Sequence, residues 1–392
     1  MKPELVFFSQ HAIGGVQSYI YNLLLQDKED WFEKRWILVD DYFNNNPRPQ
    51  VPFDTGFEQV FHYRSDVPLF QTLSKLHKLI SHNPGMMLAS FPLELAALHV
   101  YRRENKTIAF ICHDEYFLQF AKKYDFLIDV YIAHNPYFVT ALKEILPHRK
   151  KDIFYLPYGI KLSDRVNVAN HSNSLRLLVI ARMQKSKGVF DIPILVEELI
   201  SRGVDFSITM VGDGPEREEL QKKMTHFPTV KFIQPPTPDA LTEVIQQHDI
   251  FILPSYLDGM PVSLMETMTS GLVPVLTDFN PGIKEIVTPD LGFIFPKGDM
   301  KAFANCIEQL ASDRTLLVEM RERVLSFARE AFNGSIRASE YYDFFKKFML
   351  LKKPPRYKFI SYGKLIDHPA VPRFIHKNYY RGIQLWNLMK GK

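Results

Sequence analysis

Short apolar runs alternate along this sequence with longer segments in which apolar residues recur at three- and four-residue spacing. Runs such as ELVFFS and TIAFIC are rich in β-branched and aromatic residues, which is typical of strands buried on both faces. The segments between them, such as VQSYIYNLLLQ, have the spacing of amphipathic helices. Because parallel strands need crossover helices, this alternation predicts an α/β fold with helices on both faces of parallel sheets.

The alternation is interrupted by the polar stretch KLSDRVNVANHSNS and then begins again. A chain of 392 residues suits two domains better than one core. We therefore predict two doubly wound, Rossmann-like domains over residues 1–160 and 175–335, joined by an interdomain linker over 161–174. Residues 336–392 are predicted to form a closing helix and a basic, aromatic tail.

The composition indicates a globular protein, with 46% hydrophobic and 23% charged residues. The spacing of Cys112 and Cys306 fits neither a disulfide nor a metal site, so we expect two reduced, buried thiols and a cytoplasmic location. The apolar run before Ser9 is too short for a signal peptide, and no run reaches the length of about 18 residues that a membrane span needs. We therefore expect neither a membrane span nor secretion.

The positive charge is concentrated at the C-terminus. The net charge is +4, but residues 344–392 hold twelve Lys or Arg and a single acid, Asp367, so this segment carries +11 and the rest −7. These cations alternate with Phe, Tyr and Trp386. One interpretation is a helix that packs on the first domain up to about Leu351. The other is an anionic membrane surface as partner for residues 352–392. The acidic remainder and the lack of a nucleic-acid motif argue against nucleic acid.

Ligands of open α/β sheets bind at the carboxyl ends of the strands, so the loops there are the candidate sites. In SQHAIGGVQSY, Gly14 and Gly15 precede a helix, where backbone and helix N-terminus can approach an anion; a plain tight turn is the alternative. The G-x-G-x-x-G dinucleotide pattern is not present. In ICHDEYF, His113 ends a strand and is either a structural or a catalytic residue.

Two further loops follow strands of the second half. In ARMQKSKG, Arg182 offers a planar guanidinium group and Lys187 an ammonium group on a flexible side chain, a combination that suits a diphosphate. The alternative is that both are solvated surface cations. In PSYLDGMPVSLMETMTSG, Asp258 lies in a loop and Glu266 on the helix that follows, with Pro261 expected at the first helical position. The backbone around Gly259, Met260 and Val262 is expected to face the cleft. An elongated ligand with a central diphosphate would contact all these groups.

This layout resembles retaining glycosyltransferase family 4, which has the GT-B fold and is also called glycosyl transferases group 1. The stretch with Asp258 and Glu266 is similar to the family's acidic signature, and ARMQKSKG to its Arg and Lys phosphate pair. VGDGPEREEL, LPYGI, TDFNPGIKEIV and LGFIFPKGD resemble further family segments in the same order. The resemblance covers residues 4 to 345.

The resemblance implies two facing Rossmann-like domains and a nucleotide-sugar donor, UDP- or GDP-linked, in the cleft, with no cofactor. By this resemblance, Arg182 and Lys187 would bind the diphosphate, and Gly14 and Gly15 would approach its phosphates. Glu266 would bind the ribose. His113 and Asp258 would contact the donor sugar. Asp258 departs from the commoner Glu, Pro261 lacks the amide that often binds phosphate, and GDGP departs from Gly-Pro-Gly. No D-x-D sequence is present, so no metal is predicted.

The function this implies is a retaining, metal-independent transfer of a sugar to a glycan or lipid-linked acceptor. Such a step fits the synthesis of cell-surface polysaccharide or lipopolysaccharide, with the enzyme in the cytoplasm or peripheral on the inner face of the membrane. Three alternatives remain open at this point: a catalytically inactive sugar-nucleotide-binding or scaffold homologue, a nucleotide-sugar epimerase, and a sugar phosphorylase, for which no cofactor signature stands out.

Overall fold

The computed structural model describes residues 2–12, 14–26, 30–41, 54–63, 69–101, 105–163, 174–235 and 237–360, with Ile375, Asn378, Tyr379, Arg381 and Gly382. Within these residues the chain forms two parallel sheets flanked by helices, which confirms the predicted α/β class with two Rossmann-like domains. Cys112 and Cys306 are both free and buried, as predicted.

The first sheet consists of β1 (Glu4–Gln10), β2 (Glu33–Asp41), β3 (Glu58–Tyr63), β4 (Gly85–Ala89), β5 (Lys106–Cys112), β6 (Val130–Ala133) and β7 (Ile153–Tyr155). Its helices are α1 (Gly15–Leu25), α2 (Leu69–Lys78), α3 (Pro92–Val100), α4 (Glu115–Lys123) and α5 (Pro136–Ile145). The strands are parallel, in the order β3-β2-β1-β4-β5-β6-β7. The sequence analysis did not single out β6, because its run VYIA is too short to show a period.

The second sheet consists of β8 (Leu175–Ile180), β9 (Phe206–Val211), β10 (Val230–Ile233), β11 (Ile250–Leu253), β12 (Val273–Thr277) and β13 (Phe293–Phe295). Its helices are α6 (Ile192–Ser201), α7 (Arg217–Met224), α8 (Pro238–Ile245), α9 (Val262–Met268), α10 (Met300–Ser312) and α11 (Arg314–Ala331). The strands are parallel, in the order β10-β9-β8-β11-β12-β13.

Strand side chains alternate between two apolar layers, as the pleat requires. In β1, Leu5 and Phe7 pack in a layer that also includes residues of the second domain, whereas Val6 and Phe8 face a layer confined to the first domain. A third layer covers the other face of the second sheet. Burial on both faces explains why the strands are almost continuously hydrophobic.

After α11 the chain returns to the first domain. Ile160 and Asn333 form a parallel bridge, and α12 (Gly334–Phe345) and α13 (Phe348–Leu351) follow it. The Tyr341 hydroxyl donates to the Leu156 carbonyl oxygen at 2.6 Å. The Thr107 hydroxyl donates to the carbonyl oxygen of the first residue of α13 at 2.6 Å. These bonds attach the C-terminal helices to the first domain. Residues 164–173 of the predicted linker lie outside the described residues.

The tail also contacts the first domain on both sides of Pro354–Pro355. Lys353 Nζ lies 2.6 Å from Asp152 Oδ1, and Arg356 Nη1 lies 3.5 Å from Asp125 Oδ2. Contact with the first domain therefore extends past Leu351, where the packing interpretation placed its end, because acids of the first domain bind these two cations. Most of residues 361–392 lie outside the described part of the chain. Among the described helices, none has the length and apolarity to cross a bilayer.

Candidate active site between the two domains

The predicted site residues lie where the strand order of each sheet reverses. In the first sheet this switch point is between β1 and β4, and in the second between β8 and β11. Gly14 and Gly15 follow β1, Arg182 and Lys187 follow β8, and Asp258 follows β11. Ligands of doubly wound sheets bind at such points. The fold therefore brings the predicted loops to the two positions where a ligand is expected.

Loops of the second domain contact the first domain at the end of β5 and at the start of α1. A methyl group added to Gly259 would lie 1.9 Å from the His113 carbonyl oxygen and 3.0 Å from Asp114 Cβ. One added to Gly15 would lie 3.3 Å from Val262 Cγ2. We call this contact region the seam. A side chain at Gly259 would force the domains apart, so the seam requires glycine there.

The backbone of Gly14 and Gly15 does not require glycine for a turn. Gly14 is extended, with φ 179°, and Gly15 begins α1. Neither residue is among the glycines with left-handed φ. The alternative of a tight turn that needs glycine therefore finds no support. The close approach of Gly15 to Val262 of the second domain explains better why position 15 is a glycine.

The Lys187 loop is joined to the Asp258 loop by backbone hydrogen bonds. The Ser186 carbonyl oxygen accepts from the amides of Tyr256 at 2.9 Å and Leu257 at 3.3 Å. Gly188 has φ +65°, and a Cβ there would lie 1.9 Å from the Pro254 carbonyl oxygen. Close approach at this glycine brings the two loops together.

This approach places Lys187 Nζ 2.6 Å from Asp258 Oδ2. The side chains are one-fifth or less exposed, at 20% and 17%. A charge-assisted bond of this length is among the stronger polar contacts in proteins. The predicted diphosphate-binding lysine and the predicted sugar-binding acid therefore form an ion pair with each other.

The side chain of Asn280 supports the loop that contains Asp258. Asn280 was not predicted from the sequence. Its side-chain amide donates to the carbonyl oxygens of Asp258 at 3.0 Å and Gly259 at 2.7 Å. Asn135 of the first domain packs against Gly282, whose added Cβ would lie 1.9 Å from the Asn135 side-chain oxygen. The signal in the sequence was polar residues directly after two strands, in AHNPYF and TDFNPG.

Helix α9 begins one residue later than expected. Pro261 is its N-cap, with ψ 119°, rather than the first helical residue. Met260 and Val262 are buried in an apolar layer, and the Gly259 amide donates to Asp258 Oδ1 at 3.1 Å. The Gly259 amide is therefore bonded within the protein, and binding of the donor by these three residues stays a prediction.

Glu266 and Arg182 are charged groups without protein partners in the described part of the chain. Burial raises the pKa of Glu266 to about 7. Glu266 follows Val262 by one helical turn and lies on the same side of α9, the side that meets α1 at Gly15. Arg182 is exposed after β8. A ligand in the cleft could use both.

His113 is buried, and both of its ring nitrogens have neighbours. Nδ1 lies 3.0 Å from the Tyr158 hydroxyl oxygen, and Nε2 lies 3.4 Å from the Ser90 hydroxyl oxygen. Removal from water lowers the pKa of His113 to about 3, so the imidazole is neutral at physiological pH. It can act as a hydrogen-bonding group but not as a cation. Tyr158 and Ser90 are contacts that the sequence analysis missed.

The matches to known proteins concentrate in the second domain. The family model described as "Glycosyl transferases group 1" matches residues 162–331, which include Arg182, Lys187, Asp258 and Glu266. The second domain belongs to this family.

Among the described residues, no cluster of three or more His, Cys, Asp or Glu side chains could hold a metal ion.

Curated relatives match only part of this chain. Sulfoquinovosyl transferase SQD2 of Arabidopsis thaliana is 31% identical over 140 residues, covering 35% of this chain and 26% of that protein. Amylovoran biosynthesis glycosyltransferase AmsK of Erwinia amylovora is 28% identical over 189 residues, covering 46% and 45%. The chain thus spans less than half the length of these relatives.

The whole two-domain arrangement has solved counterparts. HepE of Anabaena, in complex with UDP-glucose, superposes with a TM-score of 0.69 at 17% identity, covering 88% of this chain and 99% of that chain. Likeness at this identity shows the fold. The predicted GT-B architecture is confirmed.

Proposed function

We propose that this chain transfers a sugar from a nucleotide-sugar donor, UDP- or GDP-linked, to a glycan or lipid-linked acceptor. The observation that carries the proposal is the Lys187–Asp258 pair at 2.6 Å, set at the seam beside His113. In this proposal the cation of the pair binds the diphosphate, and the carboxylate beside it binds hydroxyls of the donor sugar. The group 1 match over the same residues supports this assignment.

The difficult event in such a transfer is departure of the nucleoside diphosphate as an anion. Cations fixed where this charge develops stabilise the transition state. In our proposal Arg182 and Lys187 bind the diphosphate, and Glu266 accepts hydrogen bonds from the ribose hydroxyls. Lys187 then exchanges Asp258 for phosphate, which leaves the Asp258 carboxylate available to the donor sugar.

The finer features of the reaction belong to the same proposal. We expect retention of anomeric configuration, either through a covalent intermediate or by a same-face route in which the leaving phosphate takes the acceptor proton. We expect no requirement for a metal ion, since two cations of the chain can neutralise the diphosphate. Full activity in EDTA is the measurement that checks this.

Polysaccharide synthesis is the biological setting that we propose. AmsK is named for amylovoran biosynthesis, and HepE binds UDP-glucose in its structure. Neither name fixes the substrates of this chain, but both support a nucleotide sugar and a glycan product. A cytoplasmic enzyme would meet both the donor and a lipid-linked acceptor at the inner face of the membrane.

A membrane surface is the partner that we propose for the C-terminal region. Two large aromatic side chains within residues 352–360 are strongly exposed: Tyr357 at 82% and Phe359 at 87%. Exposed lysines lie among them, which suits an anionic interface. Co-sedimentation with acidic liposomes would compare the full chain with forms ending at Ile360 and Leu351. Equal binding by all three forms, or by none at low salt, would contradict the proposal.

Release of nucleoside diphosphate tests the proposed reaction. The full chain would be incubated with UDP-glucose, UDP-galactose, UDP-N-acetylglucosamine and GDP-mannose, with and without octyl glycosides or a polyprenyl diphosphate sugar. We expect release from one donor, increased by an acceptor. Donor binding without release would indicate an inactive sugar-nucleotide-binding homologue. Conversion of one nucleotide sugar into another would indicate an epimerase.

A further inference from the structure

Asp114 is a carboxylate of the first domain that lies at the seam. It directly follows His113, and its Cβ lies against Gly259, where an added methyl group would be 3.0 Å away. Gly259 is the neighbour of Asp258 in the donor-binding loop. One acid of each domain therefore borders the seam.

Part of the Asp114 side chain has a structural role. Oδ1 accepts the amide of Tyr116 at 2.8 Å and caps α4. Within the described residues, Oδ2 has no hydrogen-bond partner, and the side chain is half-buried. Burial raises the pKa of Asp114, the charge of Asp258 raises it further and Lys187 opposes the change, which is consistent with a position close to both. Capping thus leaves one carboxylate oxygen available.

His113 is less suited to receive an acceptor hydroxyl than its neighbour. Both of its nitrogens lie near hydroxyl oxygens of the protein, those of Tyr158 and Ser90. A sugar acceptor that attacks the donor needs hydrogen-bond partners in the protein that hold its other hydroxyl groups in position. The free oxygen of Asp114 meets this need from the domain opposite the donor.

We propose that Asp114 accepts a hydrogen bond from an acceptor hydroxyl next to the attacking one and so orients the acceptor toward the donor sugar. This inference rests on the proposed function. In the transfer, the bond from the attacking acceptor oxygen to the anomeric carbon forms as the bond from that carbon to the diphosphate oxygen breaks. The proton of the attacking hydroxyl leaves with the diphosphate, so Asp114 stays ionised and acts by position.

The Asp114→Asn variant separates this role from capping. Asn caps helices about as well as Asp, so α4 should keep its stability. Asp313→Asn is the matched control, because Asp313 also caps a helix, α11, through the amide of Leu316 at 2.9 Å and lies outside the seam. Both substitutions keep the size of the side chain and remove one negative charge. The charge is lost at the cleft in Asp114→Asn and away from the cleft in Asp313→Asn.

The measurements use the donor and octyl glycoside that the wild-type protein turns over. For Asp114→Asn we expect unchanged affinity for free nucleoside diphosphate, while kcat/KM for the octyl glycoside falls about tenfold or more. Hydrolysis of the donor by water should fall less, so the ratio of transfer to hydrolysis drops. Asp313→Asn should match the wild type in all three.

Three outcomes would overturn the inference. Wild-type transfer by Asp114→Asn would exclude a role in the reaction. Equal loss of nucleotide affinity and transfer would make Asp114 a support of the donor loop. A wild-type chain that releases no nucleoside diphosphate from any donor would refute the proposed function, and the role of Asp114 with it.

Discussion

At the residue scale, the diphosphate must compete with Asp258 for Lys187. The two side chains are already joined at 2.6 Å, so ligand binding replaces one anion by another instead of neutralising a free cation. Arg182, exposed and outside any ion pair of the described residues, has no such competitor. The two cations should therefore respond differently to removal of Asp258.

Removal of Asp258 should separate binding from turnover. In Asp258→Ala, Lys187 loses its competitor, so affinity for free nucleoside diphosphate should stay the same or rise while kcat falls. His113→Ala should also keep nucleotide affinity and lower kcat. Calorimetric titration with UDP or GDP and steady-state kinetics check both variants. Loss of nucleotide affinity in Asp258→Ala would mean that this acid binds the nucleotide itself.

Removal of either cation should weaken donor binding. A charge-assisted contact contributes about 1.5–3 kcal/mol, so Arg182→Ala and Lys187→Ala should each lower diphosphate affinity about tenfold or more. Lys185→Ala is the control, because Lys185 is an exposed lysine of the same 3-10 turn. Equal affinity for all three variants would remove the diphosphate assignment.

Glu266 should make stability depend on pH. Burial raises the pKa of Glu266 to about 7, against about 4.3 in an unfolded chain. Between these values only the unfolded state loses the proton, so this group makes the folded state less stable as pH rises to 7 and has a constant effect above it. Glu266→Gln lacks this penalty. Its stability relative to wild type should therefore increase from pH 5 to 7 by about 2 kcal/mol and then level off.

Thermal unfolding of both proteins between pH 5 and 9 measures this difference. A difference that is constant over the whole range would show that Glu266 keeps an ordinary pKa in the folded state. Glu266→Ala should in addition lower affinity for free nucleoside diphosphate, because the proposed ribose contact is lost.

At the scale of elements, the site depends on how closely the Lys187 turn approaches the end of β11. Gly188→Ala adds a methyl group that would meet the Pro254 carbonyl oxygen at 1.9 Å, so the two loops must separate. Gly203→Ala is the matched control, since Gly203 has a similar φ of +68° and no atom within 4 Å of an added Cβ.

Both alanines should cost about 1–2 kcal/mol for left-handed backbone, and the Gly188 variant should cost more. Only the Gly188 variant should also lose affinity for nucleoside diphosphate, because Lys187 moves with its turn. Chemical unfolding of both variants measures the cost of the strained backbone. Nucleotide titration of both variants measures whether Lys187 has been displaced. Similar nucleotide affinity in the two variants would show that the turn tolerates separation.

At the scale of the whole molecule, the C-terminal region ties the chain back onto its first domain. Lys353 pairs with Asp152, and Arg356 donates to the carbonyl oxygens of Asp125 at 2.6 Å and Ile128 at 2.8 Å. Since these contacts involve residues more than 190 positions earlier in the sequence, they stabilise the fold and not only the tail.

Truncation should reveal this contribution. A form ending at Ile360 keeps both contacts, whereas a form ending at Leu351 loses them and leaves acids of the first domain with fewer cations. We expect the shorter form to unfold at a midpoint lower by about 2–8 °C, in line with a loss of 1–2 kcal/mol. The Lys353→Ala and Arg356→Ala double variant of the full chain should reproduce the shift. Equal midpoints for the two truncated forms would show that the tail adds no stability.

Local sequence patterns were sufficient to predict the class of the fold and the loops of the candidate site. Apolar runs and helical spacing are local patterns, and parallel strands end at one sheet edge, so polar residues after strands could be assigned to the cleft from their positions alone. Arg182, Lys187 and Asp258 were predicted in this way, and Glu266 was predicted from its place on the helix after Asp258. The strand β6 was not predicted.

Which of these groups are in contact depends on the folded arrangement of the chain. Lys187 and Asp258 are 71 positions apart, and their pairing depends on β8 and β11 being neighbours and on a glycine that lets two loops touch. The neutral state of His113 follows from burial, which strand-end position does not report. The role of Asp114, the support by Asn280 and the ion pairs of the tail likewise depend on residues brought together by the order of strands and the meeting of two domains. Electrostatic interactions and burial depend on distances in the folded protein, whereas periodicity depends only on positions along the chain. The sequence pattern therefore indicated candidate residues, and the fold determined which of them are in contact.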